Sequence, residues 1–214
     1  RKGIEMDYPF RTHINGNSID GIINTGITIQ NANMLQQNCN GNLQECEIQG
    51  NEFLDLGFRA TGIYMNKVVG THQCDFYFSR IQQNKFEDFG QFSSGIIALN
   101  TKNVAIRGNE FDLNLSSSNS PFGISVADGN NTLCYDNEVI NSNTTSSNHG
   151  IGISYLQSKE SLILCNKTKN MDIGYQWLNT NSLQIYENLT ENDFLGWYYN
   201  INGQTGEQFK TRNR

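Results

Sequence analysis

Gly95-Ile96-Ile97-Ala98 is followed by Ile106-Arg107-Gly108-Asn109-Glu110-Phe111, and these two phrases, in this order, decide the fold. The first recurs as Gly26-Ile27-Thr28-Ile29, Gly62-Ile63-Tyr64-Met65, Gly123-Ile124-Ser125-Val126 and Gly150-Ile151-Gly152-Ile153, with echoes at Gly174-Tyr175-Gln176-Trp177 and Gly196-Trp197-Tyr198-Tyr199. The second recurs as Ile48-Gln49-Gly50-Asn51-Glu52-Phe53 and around Asn17 and Asn84, and Asn137, Asn166 and Asn188 continue the series. From Gly95 to Asn109, Gly123 to Asn137, Gly152 to Asn166 and Gly174 to Asn188 the step is 14 residues each time. Between successive asparagines, however, it is 34, 33, 25, 28, 29 and 22. A fixed interval inside a variable period describes a rigid strand-turn-strand unit joined to a loop that changes length. That is how a solenoid is written.

Short alternating runs rich in β-branched and aromatic residues specify strands rather than helices. A period in the twenties has room for three short strands and three turns. Strands of successive coils then pair in parallel, and three sheets wrap one elongated core. Alternation places Ile27, Ile29, Ile63, Met65, Val104, Ile106, Ile124 and Val126 inside. Phe53, Phe86 and Phe111 occupy one position in consecutive coils and are expected to stack. The seven aligned asparagines suit turns, because Asn tolerates left-handed backbone and bonds local main chain. Repeated in register, their amides are expected to form a ladder.

Composition agrees with a folded all-β chain. Of 214 residues only 17% are charged, while 12 Phe, 9 Tyr and 2 Trp supply a core, which argues against disorder. A net charge of -6, with no basic stripe, excludes nucleic acid as the expected partner. No apolar run reaches the roughly 20 residues of a membrane-spanning helix, so no membrane insertion is expected. Residues 1–214 are expected to form one β-helix segment of a longer chain, since solenoids close with polar-faced caps and neither end reads as one.

The Gly-Ile-x-Ile and Ile-x-Gly-Asn-x-Phe phrases resemble the right-handed parallel β-helix repeat of pectate-lyase-like proteins, polysaccharide epimerases, phage tailspikes and large bacterial surface proteins. The resemblance runs over about residues 14–199 and implies a fold of about seven coils. It fixes no single activity, because that scaffold carries lyases, hydrolases, epimerases and non-catalytic adhesins. The Asn-rich, Lys-poor style, with cysteines near the strands, is also similar to cargo of the Bacteroidota type IX secretion pathway. Both likenesses imply an extracellular or cell-surface protein.

Lyases of this kind set an acidic Ca²⁺ cluster and a basic residue on one exposed sheet face. The outward positions of the Gly-Ile-x-Ile strands read Thr28, Gln30, Tyr64, Asn66, Ile97, Ser125, Ala127, Ser154 and Gln176, none of them charged. That face offers neither the base nor the electrophile of proton abstraction. Glu52, Lys85 and Glu110 are expected to form a charge-balanced outer row. Glu87 and Asp88 adjoin a loop and could hold a weak Ca²⁺ site, but they match no Ca²⁺-loop spacing, so no cofactor is expected.

The variable loops, residues 30–45, 66–73, 115–121 and 141–149, are where a ligand would be met, because solenoid insertions gather on one flank. The candidate ligand-binding residues are Tyr64, Asn66, His72, Phe122, His149 and Tyr155, the aromatic ones as platforms for sugar rings. Trp177 is expected in the core. No Cys-x-x-Cys spacing occurs among the five cysteines. Cys46 and Cys134 read as core residues, and Cys39–Cys74 is the preferred disulfide. The expected function is a non-catalytic extracellular scaffold or adhesin-like segment presenting loops to a glycan or neighbouring protein. The alternatives are a lyase or epimerase acting on acidic glycans, and a structural spacer of a surface assembly.

Overall fold

A computed structural model describes residues 3–7, 12–32, 46–70, 79–115, 121–143 and 150–200. Every strand pairs in parallel with its equivalent one coil away, which yields one eight-stranded and two seven-stranded sheets. In the fourth coil the strands are Ser94–Leu99 in the first sheet, Val104–Arg107 in the second and Glu110–Asp112 in the third. Seven coils of this plan stack, and an eighth strand, Leu195–Asn200, ends the first sheet. The architecture is the parallel β-helix the repeat called for.

The interior consists of rows one coil apart. In the second sheet Ile14, Ile48, Ile81, Ile106, Cys134, Ile163 and Ile185 follow one another in register. In the third, Phe53, Phe86 and Phe111 stack with ring centroids 4.7 and 4.6 Å apart and planes within 7°. These rings explain the glycine of the recurrent phrase. A Cβ on Gly62 would lie 2.6 Å from the Phe86 ring and 2.8 Å from the carbonyl oxygen of Gly95, and Gly95 faces Phe111 at 2.5 Å in the same way.

Beyond Phe111 the third-sheet row shrinks to Val139 and Thr168, and the opposite row grows in compensation. Ile124 and Val126 are followed in register by Ile153 and Tyr155, then by Tyr175 and Trp177. Volume lost on one wall is replaced on the other, as a close-packed interior requires. Tyr175 spans the core and donates its hydroxyl to the carbonyl of Asn166 at 2.7 Å.

The asparagine ladder runs unbroken from Asn17 to Asn188. In each pair the upper backbone N–H and side-chain amide both donate to the Oδ1 of the next asparagine. Asn84 thus gives two bonds of 3.0 Å to Asn109, and Asn109 gives bonds of 3.1 and 2.9 Å to Asn137. The second amide hydrogen is spent on a main-chain carbonyl, that of Ile81 in the case of Asn109. Buried polar groups are therefore satisfied along the whole turn.

Candidate functional site

Each sheet turns a different chemistry outward. From the second coil onward the outer positions of the first sheet carry no charge, as expected: Thr28, Tyr64, Ile97, Ser125, Ser154 and Gln176 form one continuous row. The first coil adds Glu5 at the head of this row and Asp7 at the head of the next. A shallow groove of about 210 Å³ opens on this face, lined by Glu5, Asn24, Thr25, Thr28, Gln30 and Tyr64 together with the backbone at Gly3 and Ile4. Tyr64 and Asn66 both point out of the strand Thr61–Asn66, half-buried. Phe122 lies farther along the same face, beside Ser94 and Ile151. Tyr198 of the last strand is exposed on that face as well.

Tyr155 is corrected. It was expected to offer its ring to a ligand, but it is fully buried, with Val126 and Trp177 as its register neighbours. It fills the space that the small third-sheet residues leave, and no solute reaches its ring. Trp177 is buried beside it, with ring centroids 6.0 Å apart, as expected for a core residue. His72, His149, Cys39 and Cys74 lie outside the described residues, as do most of the variable loops. Cys46 and Cys134 are buried thiols, each pushed up to about 12 by desolvation. They act as core residues, as the alignment indicated.

The third sheet presents the charged row. Glu52, Lys85, Glu110, Glu138 and Lys167 succeed one another in register, over a depression of about 180 Å³ that also involves Glu87 and Asp112. Two of the five acids are paired, Glu87 with Lys85 at 2.7 Å and Glu138 with Lys167 at 3.1 Å, so this face is net negative rather than charge-balanced. In both lysines the hydrogen bond to the carboxylate is the chief cause holding the pKa above its ordinary value. Asp88 accepts a bond from Asn114 at 2.7 Å. Among the described residues no three His, Cys, Asp or Glu side chains converge in a way that would hold a metal ion.

The second sheet holds a constellation that sequence reading missed. Glu47 is mostly covered and accepts a hydrogen bond from Gln82 at 2.7 Å. His13 lies 3.1 Å from it and Arg80 3.7 Å. Arg107 extends the network, donating to Gln82 at 2.6 Å and to the Tyr135 hydroxyl at 2.7 Å. These residues come from the strands of five coils and are far apart in the chain. Only the outward alternation of the second strand in each period signals them, and their loop-dependent spacing hides which of them meet.

One more surface feature lies on the turn between the third and first sheets. Ile23, Phe58 and Phe92 are exposed there by 67%, 57% and 49%. The Arg59 guanidinium sits 5.1 Å from the Phe58 ring centre and 5.8 Å from that of Phe92.

A model of the right-handed β-helix region matches residues 2–202, nearly the whole sequence. The chain belongs to the right-handed β-helix family. No curated protein matches the sequence. Among solved structures, the enzymatically active domain of tailspike protein 2 of bacteriophage CBA120 is similar at 8% identity and a TM-score of 0.34. The similarity covers 95% of this chain but 39% of that one, and at this level it carries no argument about activity. The stylistic likeness to type IX secretion cargo has no counterpart in these comparisons.

Proposed function

We propose that this chain is a non-catalytic scaffold, extracellular or on a cell surface, that holds a glycan along the outer face of its first sheet. One observation carries the reading: the groove at the first coils is lined by hydroxyl and amide side chains, with the ring of Tyr64 and the carboxylate of Glu5 beside them. Sugars are held by polar groups that bond their hydroxyls and by rings that cover their apolar faces. Strands one coil apart, about 4.8 Å, repeat such groups at a spacing a polymer can follow. No base and electrophile accompany them on that face beyond the first coil.

A second reading is favoured by Glu47, an acid beside Arg80 and within one hydrogen-bonded network with Arg107. An acid next to a cation is the minimum for proton abstraction from a uronate, which is the lyase or epimerase alternative. One experiment separates the two. The purified chain is incubated with matched neutral and acidic polysaccharides while retention and unsaturated-uronate absorbance are followed together. Retention without turnover supports the scaffold. Absorbance that grows with the wild type and stops in Glu47→Gln overturns it in favour of the enzyme, and absence of both signals leaves a structural spacer.

A further inference from the structure

The turn between the third and first sheets is built to expose what such turns ordinarily hide. Arg59 and Phe92 occupy the same turn position in neighbouring coils, where the Arg59 N–H donates to the carbonyl of Gln91 at 2.8 Å. Both have left-handed backbone, with φ of 56°. That conformation favours Gly, Asn and Asp and is strained for a bulky residue. Most other left-handed positions in the described residues are indeed polar, and Phe92 is the one aromatic among them. The strain is not repaid by burial, since Phe58 and Phe92 are both about half exposed. Their rings stand 6.0 Å apart at 79°, forming two walls of an open corner.

Arg59 occupies that corner. Its guanidinium is positioned by both rings, and no carboxylate among the described residues pairs with it. A cation held over aromatic faces, with its five N–H donors left over, suits a planar oxyanion that accepts two of them at once. The flanking rings suit the apolar face of a pyranose. Ile23, on the same turn one coil earlier, continues the apolar ridge.

We infer that Phe58, Arg59 and Phe92 form a subsite for a carboxylate-bearing sugar, a uronate unit of the bound glycan. This rests on the glycan-binding reading and names the ligand class it selects. Arg59 takes the carboxylate and the two rings take the sugar face. The subsite gives a role to a phenylalanine that is both left-handed and half exposed.

The test uses the full chain and calorimetric titration with oligosaccharides of glucan and galactan backbone, each in neutral, C6-carboxylated and C6-sulfated form. The carboxylated form is expected to bind at least about tenfold tighter than the neutral form. Arg59→Gln should remove that preference while leaving the weaker neutral binding in place. Phe92→Asn keeps a residue suited to left-handed backbone, so it should melt no lower than the wild type yet lose affinity for all forms. A merely structural phenylalanine would behave oppositely, with a lower melting point and unchanged binding. Carboxylate preference that persists in Arg59→Gln overturns the subsite, and so does sulfate binding as tightly as carboxylate. Equal binding of neutral and carboxylated forms refutes the inference while leaving the glycan reading intact. Binding of none refutes both.

Discussion

Removing one asparagine from the middle of the ladder should destabilise the protein far more than removing the first one. Asn109 accepts bonds from the Asn84 backbone N–H and side-chain amide, both at 3.0 Å, and donates to Ile81 O and Asn137 Oδ1 at 3.0 and 2.9 Å. Asn109→Ala strands two donors of Asn84 and withdraws a donor from Ile81 O and from Asn137 Oδ1. The latter still accepts the Asn109 backbone N–H at 3.1 Å. Asn84 and Asn109 are both fully buried, so each stranded donor costs about 1–3 kcal/mol. The sum for two donors is about 2–6 kcal/mol, a large part of a domain's typical 5–15. Asn17 is exposed, and its side chain only donates, to Asn51 Oδ1 at 2.9 Å and Asn15 O at 3.3 Å. Asn51 Oδ1 keeps the Asn17 backbone N–H, so Asn17→Ala should cost under about 1 kcal/mol. Urea unfolding followed by circular dichroism and by tryptophan fluorescence would give both values. Equal costs would show that the buried ladder contributes specificity of packing rather than satisfied polar groups.

Gly95→Ala should destabilise by about 1–3 kcal/mol or more, because its Cβ would stand 2.5 Å from the Phe111 ring. Phe111→Leu in the same chain should recover part of the loss, and a simple sum of the two costs would contradict the packing account. Gly50, at φ 62° with open space around its Cβ position, should accept Asn with little change in melting temperature. For Cys46 and Cys134, burial raises the folded pKa from 9.0 to about 12. The unfolded thiols ionise first as pH rises, so stability is complete below pH 9. It then falls by about 1.4 kcal/mol per pH unit for each thiol up to about pH 12. Denaturant midpoints for the wild type and Cys134→Val should diverge in slope over that range and in no other. Asp193 has a raised pKa, mainly from burial, which outweighs its bonds from Thr168 and Met171. Asp193→Asn should therefore be tolerated better at neutral pH, where the wild type carries the buried charge, than at low pH, as thermal melts at the two pH values would register.

How far the molecule was legible depended on whether a feature repeats. Asn51, Asn84, Asn109 and their neighbours declared themselves because one turn geometry recurs in every coil and demands the same residue. Phe53, Phe86 and Phe111 were readable as a stack for the same reason. Tyr155 was misplaced because its row changes character midway, from Ile29, Met65, Ala98 and Val126 to two aromatic residues. The large side chain looked like a surface ring until Val139 and Thr168, on the opposite wall, supplied the room for it. The network of Glu47, Arg80 and Arg107 escaped notice because its members repeat nothing. They are single substitutions in otherwise ordinary coils.

Sequence alone determined the coil: three strands, an asparagine turn, a stack of phenylalanines, and an interior made of rows. Period and alternation are local properties, and a chain that repeats them has only one way to bury its apolar faces. Tertiary structure decided everything that depends on which coils lie side by side. It brought His13 to Glu47, set Phe58 against Phe92 with Arg59 between them, and sent Tyr155 inward. His13 and Glu47, like Phe58 and Phe92, are 34 positions apart in sequence, whereas Tyr155 and Trp177 are 22 apart, and the variable loop lengths set that separation anew in each coil. Only stacking, which cancels the loops and restores the register, determines which side chains meet.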